Sequence, residues 1–312
     1  MMKDKSAMSI RAALAGVLLA AFAGVAPAAV GPGATGAQYL TLPFGSKSIA
    51  MGEVQSPAIG EPLGWLSNPA TLSRLEGLGF GVFHAEWLMQ TQYDNAAVHS
   101  HVNNHVAVAA GFVSLRRPEI DGYDQYGART KTLDNTNYQA IVGLAYSPVA
   151  SFTAGLSVKY FNEKLDDLAA DGVGFDIGAL YTVPRTRLSF GVVAQNLGQD
   201  ITFESVKEPL PTTLRGGASC SADVRRDAAT ITVAFDVVKP RYEKLYASAG
   251  AELMLFKAFA ARVGYNGQEY RPGSGLALGC GVSVRNISFD YAWTPFGDLG
   301  SVHRVALYFM LH

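Results

Sequence analysis

The chain of 312 residues is 49% hydrophobic and 11% aromatic but only 16% charged, and 33 of its residues are glycine. So few ionised groups exclude a disordered chain, and 25 basic against 26 acidic residues leave no net field to draw a polyanion or a charged membrane surface. Two cysteines, in no Cys-x-x-Cys spacing, exclude a disulfide framework and give zinc, redox-pair and haem chemistry no motif, so neither metal, cofactor nor nucleic acid is expected.

Residues 1–29 carry Lys3, Lys5 and Arg11, then an apolar run from Ala12 to Phe22, then Ala26-Pro27-Ala28-Ala29. A basic head, a short apolar stretch and an Ala-x-Ala exit describe a secretory signal peptide cleaved near Ala28 or Ala29. A retained membrane anchor is the alternative. No later stretch reaches the 18 apolar residues of a membrane-spanning helix.

Residues 30–76 lack strand alternation. They contain Phe44-Gly45-Ser46-Lys47-Ser48-Ile49-Ala50-Met51-Gly52 and Gly64-Trp65-Leu66-Ser67-Asn68-Pro69-Ala70, in which Asn68-Pro69 is a turn or helix-start signal. A structureless tail this long before a compact domain is unusual. The segment is expected to fold as a plug; the alternative is a periplasmic tail.

From residue 77 to 312, alternation of period two recurs, the spacing that sends successive side chains to opposite faces of a strand. It predicts strands at 78–90, 92–101, 105–115, 135–147, 151–164, 170–183, 186–197, 211–222, 229–238, 243–255, 258–267, 275–284, 287–295 and 302–311. Each is close to the roughly 9 to 11 residues that a tilted strand needs to cross a bilayer. Very short links at Asn103-Asn104, Ser147-Pro148-Val149-Ala150, Pro184-Arg185, Phe256-Lys257 and Arg285-Asn286 alternate with longer ones at 116–134, 198–210 and 295–300. The first outer link, near Thr91, is tight. An even-stranded membrane barrel has this rhythm. The expected fold is an all-β, 14-stranded antiparallel transmembrane barrel with a small N-terminal plug, in the outer membrane of a Gram-negative bacterium and in contact with its lipid.

A soluble sandwich is the alternative, but its outer face would carry many Lys and Glu. Here the weaker face is Gly, Ala, Ser and Thr, including Gly174, Gly178, Gly191, Gly250, Gly264, Ala277, Gly279 and Gly281. Small residues suit a lumen packed around a plug. The ionisable residues on that face, Lys159, Asp176, Asp236, Glu252, Arg262 and Asp290, are expected to pair across the interior, because unpaired buried charge is costly. Cys220 and Cys280 fall on the apolar face, too many strands apart to bond.

Catalysis has little to stand on. His99, His101 and His105 could be drawn as a metal cluster but read better as polar strand residues. His303, Arg304 and Asp298 could be drawn as a hydrolase corner, yet no serine has a nucleophile setting. The protein is expected to be no enzyme. The 116–134 link, with Tyr123, Tyr126 and Arg129, is the candidate partner-contact loop, since rings and guanidinium groups suit interfaces; a merely solvated loop is the alternative.

Met51-Gly52 after Ala50, followed by Asn68-Pro69-Ala70, resembles the N-terminal region of the PorV/PorQ family of outer-membrane proteins. That family is similar in plan to the FadL fatty-acid transporters. Val192 to Gly198, Pro209 to Gly217 and Tyr291 to Gly300 with His303-Arg304 look like the same family, so the resemblance spans nearly all of the expected mature chain. Lys47, Glu53 and Thr71 depart from its usual residues, and the chain ends in His312 instead of an aromatic. The resemblance implies a component of type IX-like secretion that binds secreted proteins or secretion-machine subunits. The resemblance in plan implies, alternatively, a channel for a hydrophobic small molecule gated at the plug motif. A barrel enzyme acting on lipid or peptide is the third reading.

Overall fold

The computed structural model describes residues 33–311 except 134, 167, 204, 226, 227 and 270. The expected signal segment, 1–29, lies outside the described residues. Among these residues the strands are β1 (Leu78–Glu86), β2 (Gln92–Asn103), β3 (Val106–Arg116), β4 (Ile120–Tyr123), β5 (Arg129–Leu133), β6 (Thr136–Val149), β7 (Phe152–Leu165), β8 (Leu168–Thr182) and β9 (Leu188–Gly198). They continue with β10 (Ile201–Phe203), β11 (Val206–Glu208), β12 (Thr213–Arg225), β13 (Ala229–Pro240), β14 (Tyr246–Leu255), β15 (Phe259–Asn266), β16 (Leu276–Val284), β17 (Ile287–Pro295) and β18 (Ser301–Leu311). Fourteen of them form a closed antiparallel barrel in which β1 pairs with both β2 and β18; β4–β5 and β10–β11 are separate hairpins. Closure runs without a break from Leu78↔Leu311 to Glu86↔His303.

The alternation decides which residues line the lumen. On β13, Val233 and Phe235 are each 51% exposed while Asp236 is fully buried. Outward Val142, Ile177, Val263 and Phe289 extend the same exposed apolar belt around the barrel. A belt of this size would be an aggregation surface in water. In a bilayer it is the required surface, and closure of the ladder removes the open sheet edge that lipid could not satisfy.

At one end, the turn end, the links are short: 104–105, 150–151, 183–187, 256–258 and 285–286. Phe256 and Lys257 both adopt positive φ, 52° and 55°, the backbone of a tight hairpin turn built without glycine. The opposite, loop end carries both extra hairpins. Three local readings are corrected. The first strand stops at Glu86, and Leu88–Gln90 form a 3₁₀ turn with Met89 and Gln90 at positive φ, so this link is an ordered cap and not a tight reversal. The expected turn at 147–150 belongs mostly to β6, which reaches Val149 across a register shift after Tyr146. Pro148, lacking an N–H, sits at that irregularity. The links at 116–134 and 198–210 hold the hairpins β4–β5 and β10–β11.

The segment from residue 33 to β1 runs through the lumen. It begins at the loop end, where the Gly36 N–H donates to the Pro209 carbonyl and the Tyr39 hydroxyl to the Tyr138 carbonyl at 2.8 Å. The helix α1 (Ser46–Ala50) then packs on β15, β16 and β17. The 3₁₀ turns Gly64–Leu66 and Pro69–Arg74 follow, the second against β6, β7 and β8. Asn68 starts that last turn by accepting the Ala70 N–H on its side chain. Ile49, Met51, Trp65, Leu66 and Leu72 are fully buried, each contributing about 2 kcal/mol.

The outward belt makes a direct prediction. Val233→Arg, in the middle of β13, should cost about 2–4 kcal/mol of barrel stability in lipid vesicles, measured by denaturant unfolding. A loss well under that range would deny this face to lipid.

Candidate functional site

Glycines of the wall allow the plug backbone to touch it. A Cβ at Gly155 would overlap the Ala70 amide nitrogen, at Gly191 the Ser56 carbonyl, at Gly250 the Met51 carbonyl and at Gly264 the Gly52 nitrogen. Any side chain there would push the plug away. Gly178 is equally filled, by the Asn68 side-chain oxygen. The Asn68 amide donates to the Ser56 carbonyl at 2.7 Å, and Gln195 donates to the Ser67 carbonyl at 2.9 Å. Met51, Gly52, Asn68, Pro69 and Ala70 therefore all lie on this tight seam.

Buried charge completes the attachment. Lys47 of α1 meets Glu252 at 2.9 Å; Glu252 meets Arg262 at 2.6 Å and Arg262 meets Asp290 at 2.5 Å. Asp236 accepts the backbone N–H groups of Gln55 and Ser56 at 2.8 and 3.1 Å, and also the Ser56 hydroxyl. Arg215 stands 4.0 Å from the same carboxylate. Lys159 bonds Asp176 and the Asn196 side chain, both at 2.8 Å. Glu53 joins Arg271 at 2.5 Å and accepts from Asn266 at 2.9 Å. Burial alone would push the Glu53 carboxyl up, but Arg271 overcomes it and holds the group below the usual carboxylate range. Lys47 and Glu53, which depart from the resembled pattern, thus tie the plug to the wall.

Glu61 differs. It accepts the Ser48 N–H at 3.1 Å and the Leu63 N–H at 3.2 Å, but burial, reinforced by the negative charge of Asp290, pushes its carboxyl up to about 7.

Above the plug, at the loop end, a cavity of about 480 Å³ opens. Its walls include Tyr39 and Leu42 of the plug, Trp87, Leu88 and Met89 of the β1–β2 cap, and Leu115 of β3. Tyr93 of β2, which does not line this cavity, is fully buried, with its ring edge-on to Phe83 at 5.6 Å and tilted to Phe44 at 6.3 Å. Arg304 of β18, fully buried, lies 4.7 Å below the Trp87 ring. Sequence reading missed this buried cluster. Its only signal was a cation, Arg304, on the lumen face of an otherwise apolar last strand.

The drawn catalytic groups come apart. His303 faces outward and bonds the Tyr291 hydroxyl at 2.7 Å, on the opposite side of β18 from Arg304. Among the described residues no His, Cys, Asp or Glu group is arranged to hold a metal. Cys220 and Cys280 are free and exposed on the outward face. Tyr123, Tyr126 and Arg129 lie on the β4–β5 hairpin and its tip, with Tyr126 85% exposed and Arg129 bonded to Asp121 at 2.5 Å.

No protein-family model matches the chain, and no curated protein matches it. Solved structures do. The Ralstonia pickettii toluene transporter TbuX superposes with a TM-score of 0.62 at 16% identity, over 86% of this chain and 99% of that one. The Pseudomonas putida toluene transporter TodX gives 0.58 at 13% identity, over 85% and 96%. A Pseudomonas aeruginosa FadL homologue gives 0.52 at 9% identity, over 86% and 98%. At these identities the likeness is one of fold: this chain has the 14-stranded architecture of FadL-like barrels.

Two predictions concern the plug. Asp236→Ala removes the acceptor of two plug N–H groups, so amide exchange at Gln55 and Ser56 should accelerate by about a hundredfold or more while the barrel stays folded; unchanged protection would deny the anchor. The second concerns pH. Because the Glu61 carboxyl is raised in the docked plug from 4.5 to about 7, its own contribution to docking is fully present below pH 4.5. It weakens as pH climbs to about 7, by roughly 3 kcal/mol. Protection at Ser48 and Leu63, corrected for intrinsic exchange, should fall across that interval in the native protein and stay flat in Glu61→Gln. A flat native profile would remove Glu61 as the cause.

Proposed function

We propose that this protein is a non-enzymatic channel of the bacterial outer membrane that admits small hydrophobic molecules, with the N-terminal plug as its gate. The loop end then faces outward and the turn end the periplasm. The observation that carries the reading is the apolar cavity at the loop end, open above a lumen otherwise filled by the plug. A cavity lined by Trp, Tyr, Leu and Met, with Gln38, Thr91 and Arg117 as its few polar groups, is the usual form of a site for a small apolar ligand. The toluene transporters TbuX and TodX, which share the architecture, support it.

A second reading, a PorV/PorQ-type surface for secreted proteins or secretion-machine subunits, draws on one observation. The β4–β5 hairpin projects from the loop end with Tyr123 and Tyr126 mostly exposed.

Radiolabelled toluene uptake, measured in cells lacking their own channels of this kind, separates the two. Expression should raise uptake, and Leu42→Trp, which fills the cavity, should return it towards background. Uptake that stays at background, together with stoichiometric recovery of secreted proteins on gentle extraction, would overturn the channel in favour of the second reading.

A further inference from the structure

Three of the turn-end links carry a cation where such turns normally carry glycine or asparagine. Arg185, Lys257 and Arg285, in the links after β8, β14 and β16, have φ of 63°, 55° and 52°. Long side chains disfavour that backbone, and Gly or Asn would close the same hairpins more readily, so folding gives no reason for a cation at each tip. Beside Arg285 there is a reason. On the outward face between β16 and β17 lies a groove of about 460 Å³, lined by Val282, Val284, Ile287 and Phe289 and bounded at the turn by Arg285 and Asn286. Val282 pairs with Phe289 and Val284 with Ile287, and Phe259 and Phe309 extend the apolar surface on the flanking strands. The Arg285 side chain is exposed and makes no ion pair or hydrogen bond among the described residues. Lys257 stands on the adjoining turn, which the Ser283 N–H holds alongside by donating to the Ala258 carbonyl at 2.7 Å. The outward groove at the loop end is the contrast. It is larger, about 780 Å³, with Val82, Ala96, Phe112 and Leu307 in its wall, but Asp94 already bonds His84 at 2.6 Å and Arg116 at 3.0 Å. There a carboxylate of the chain holds the place that an external anion would take; at Arg285 that place is open.

We infer that the turn-end groove is a binding site for one anionic phospholipid of the surrounding bilayer, with its phosphate on Arg285 and Asn286 and an acyl chain along Val282, Val284, Ile287 and Phe289. The site lies outside the lumen and does not depend on what the channel carries; only the leaflet it serves follows from the orientation given above. Polar and apolar parts of the site are stacked in the order of a lipid, a cation and an amide at the level of the headgroups and a bare hydrocarbon surface below them. A guanidinium takes a phosphate through two parallel N–H donors, and the long arginine stem reaches the headgroup level while its methylenes lie on apolar surface. Lys257 on the adjoining turn adds to the attraction for a headgroup that carries net negative charge. Each methylene of the chain that settles in the groove strengthens the hold.

Native mass spectrometry of the purified full-length protein in detergent tests this, with dioleoylphosphatidylglycerol titrated against dioleoylphosphatidylcholine. One phosphatidylglycerol should be retained about tenfold more tightly than phosphatidylcholine. Arg285→Asn removes the cation and suits the positive φ, so the barrel should stay folded and the preference should vanish. Arg185→Asn, the equivalent change at another cationic turn, and Arg116→Gln, beside the loop-end groove, should leave the preference intact. Val284→Trp, which fills the groove, should weaken retention of both lipids severalfold. Equal retention of the two lipids, or a preference that survives Arg285→Asn, overturns the site. So does a preference lost equally in Arg185→Asn, which would make it a property of the whole basic rim, or retention unmoved by Val284→Trp, which would leave the groove without a chain. None of these outcomes bears on toluene uptake, so the channel reading stands or falls separately.

Discussion

Closure of the ladder between the first and last barrel strands is the constraint on which everything else depends. A bilayer offers no hydrogen-bond partners to an open sheet edge, so β1 and β18 must meet over their whole length. Once the cylinder is closed its outer face is dictated by lipid and its inner face by whatever fills the lumen. These two demands, imposed on alternate residues of each strand, produce both the apolar belt and the file of small and polar side chains inside it. The belt alone would serve any barrel of this size. The inner face belongs to this one plug.

The lumen is divided. On the arc from β7 to β16 the wall is glycine-rich, the plug backbone lies directly against it, and Asp236, Glu252 and Asp176 are satisfied by plug or wall donors. On the arc formed by β18, β1, β2, β3 and β6 the plug presents side chains instead: Trp65 and Leu66 against Gly111, Trp65 and Leu72 against Gly143. There the wall holds polar atoms with no partner, on Tyr93, Asn95, Gln139 and Arg304. One arc is held by ion pairs and backbone hydrogen bonds, the other mainly by packing, with the Tyr39 hydroxyl on the Tyr138 carbonyl as a polar tie.

Much of this was legible in the sequence, for identifiable reasons. Ile287 to Thr294 and Arg304 to Leu311 announce their two faces because lipid and lumen impose opposite chemistry at a spacing of one residue. Asn68-Pro69 announces a helical start because its cap is local, made to Ala70 two residues on. The errors fell where local pattern and backbone chemistry disagree. Leu88 and Met89 continue the apolar run of β1 although the chain has already left the strand, and Pro148 reads as a turn although β6 passes through it as an irregularity. The buried surroundings of Arg304 were beyond reach for a different reason. Trp87 and Tyr93 come near Arg304 only through barrel closure between β1 and β18, so alternation along β18 marks Arg304 as inward without showing what surrounds it.

The division of the lumen also bears on how such a plug gives way. Withdrawing it from the β7 to β16 arc would strip acceptors from Gln55 and Ser56, part Lys47 from Glu252 and part Glu53 from Arg271, each at a cost of several kcal/mol for the charge left behind. Separating it from the opposite arc breaks no ion pair among the described residues: it costs the Tyr39–Tyr138 hydrogen bond and apolar contact around Trp65, Leu66 and Leu72, about 2 kcal/mol for each side chain uncovered, and admits water to polar atoms that lack partners when the plug is seated. The second displacement is offset by what it exposes; the first is not. The apolar loop-end cavity and the unpartnered side chains of β2 and β6 stand on that weaker arc, so under the proposed channel reading the plug would part from this wall first.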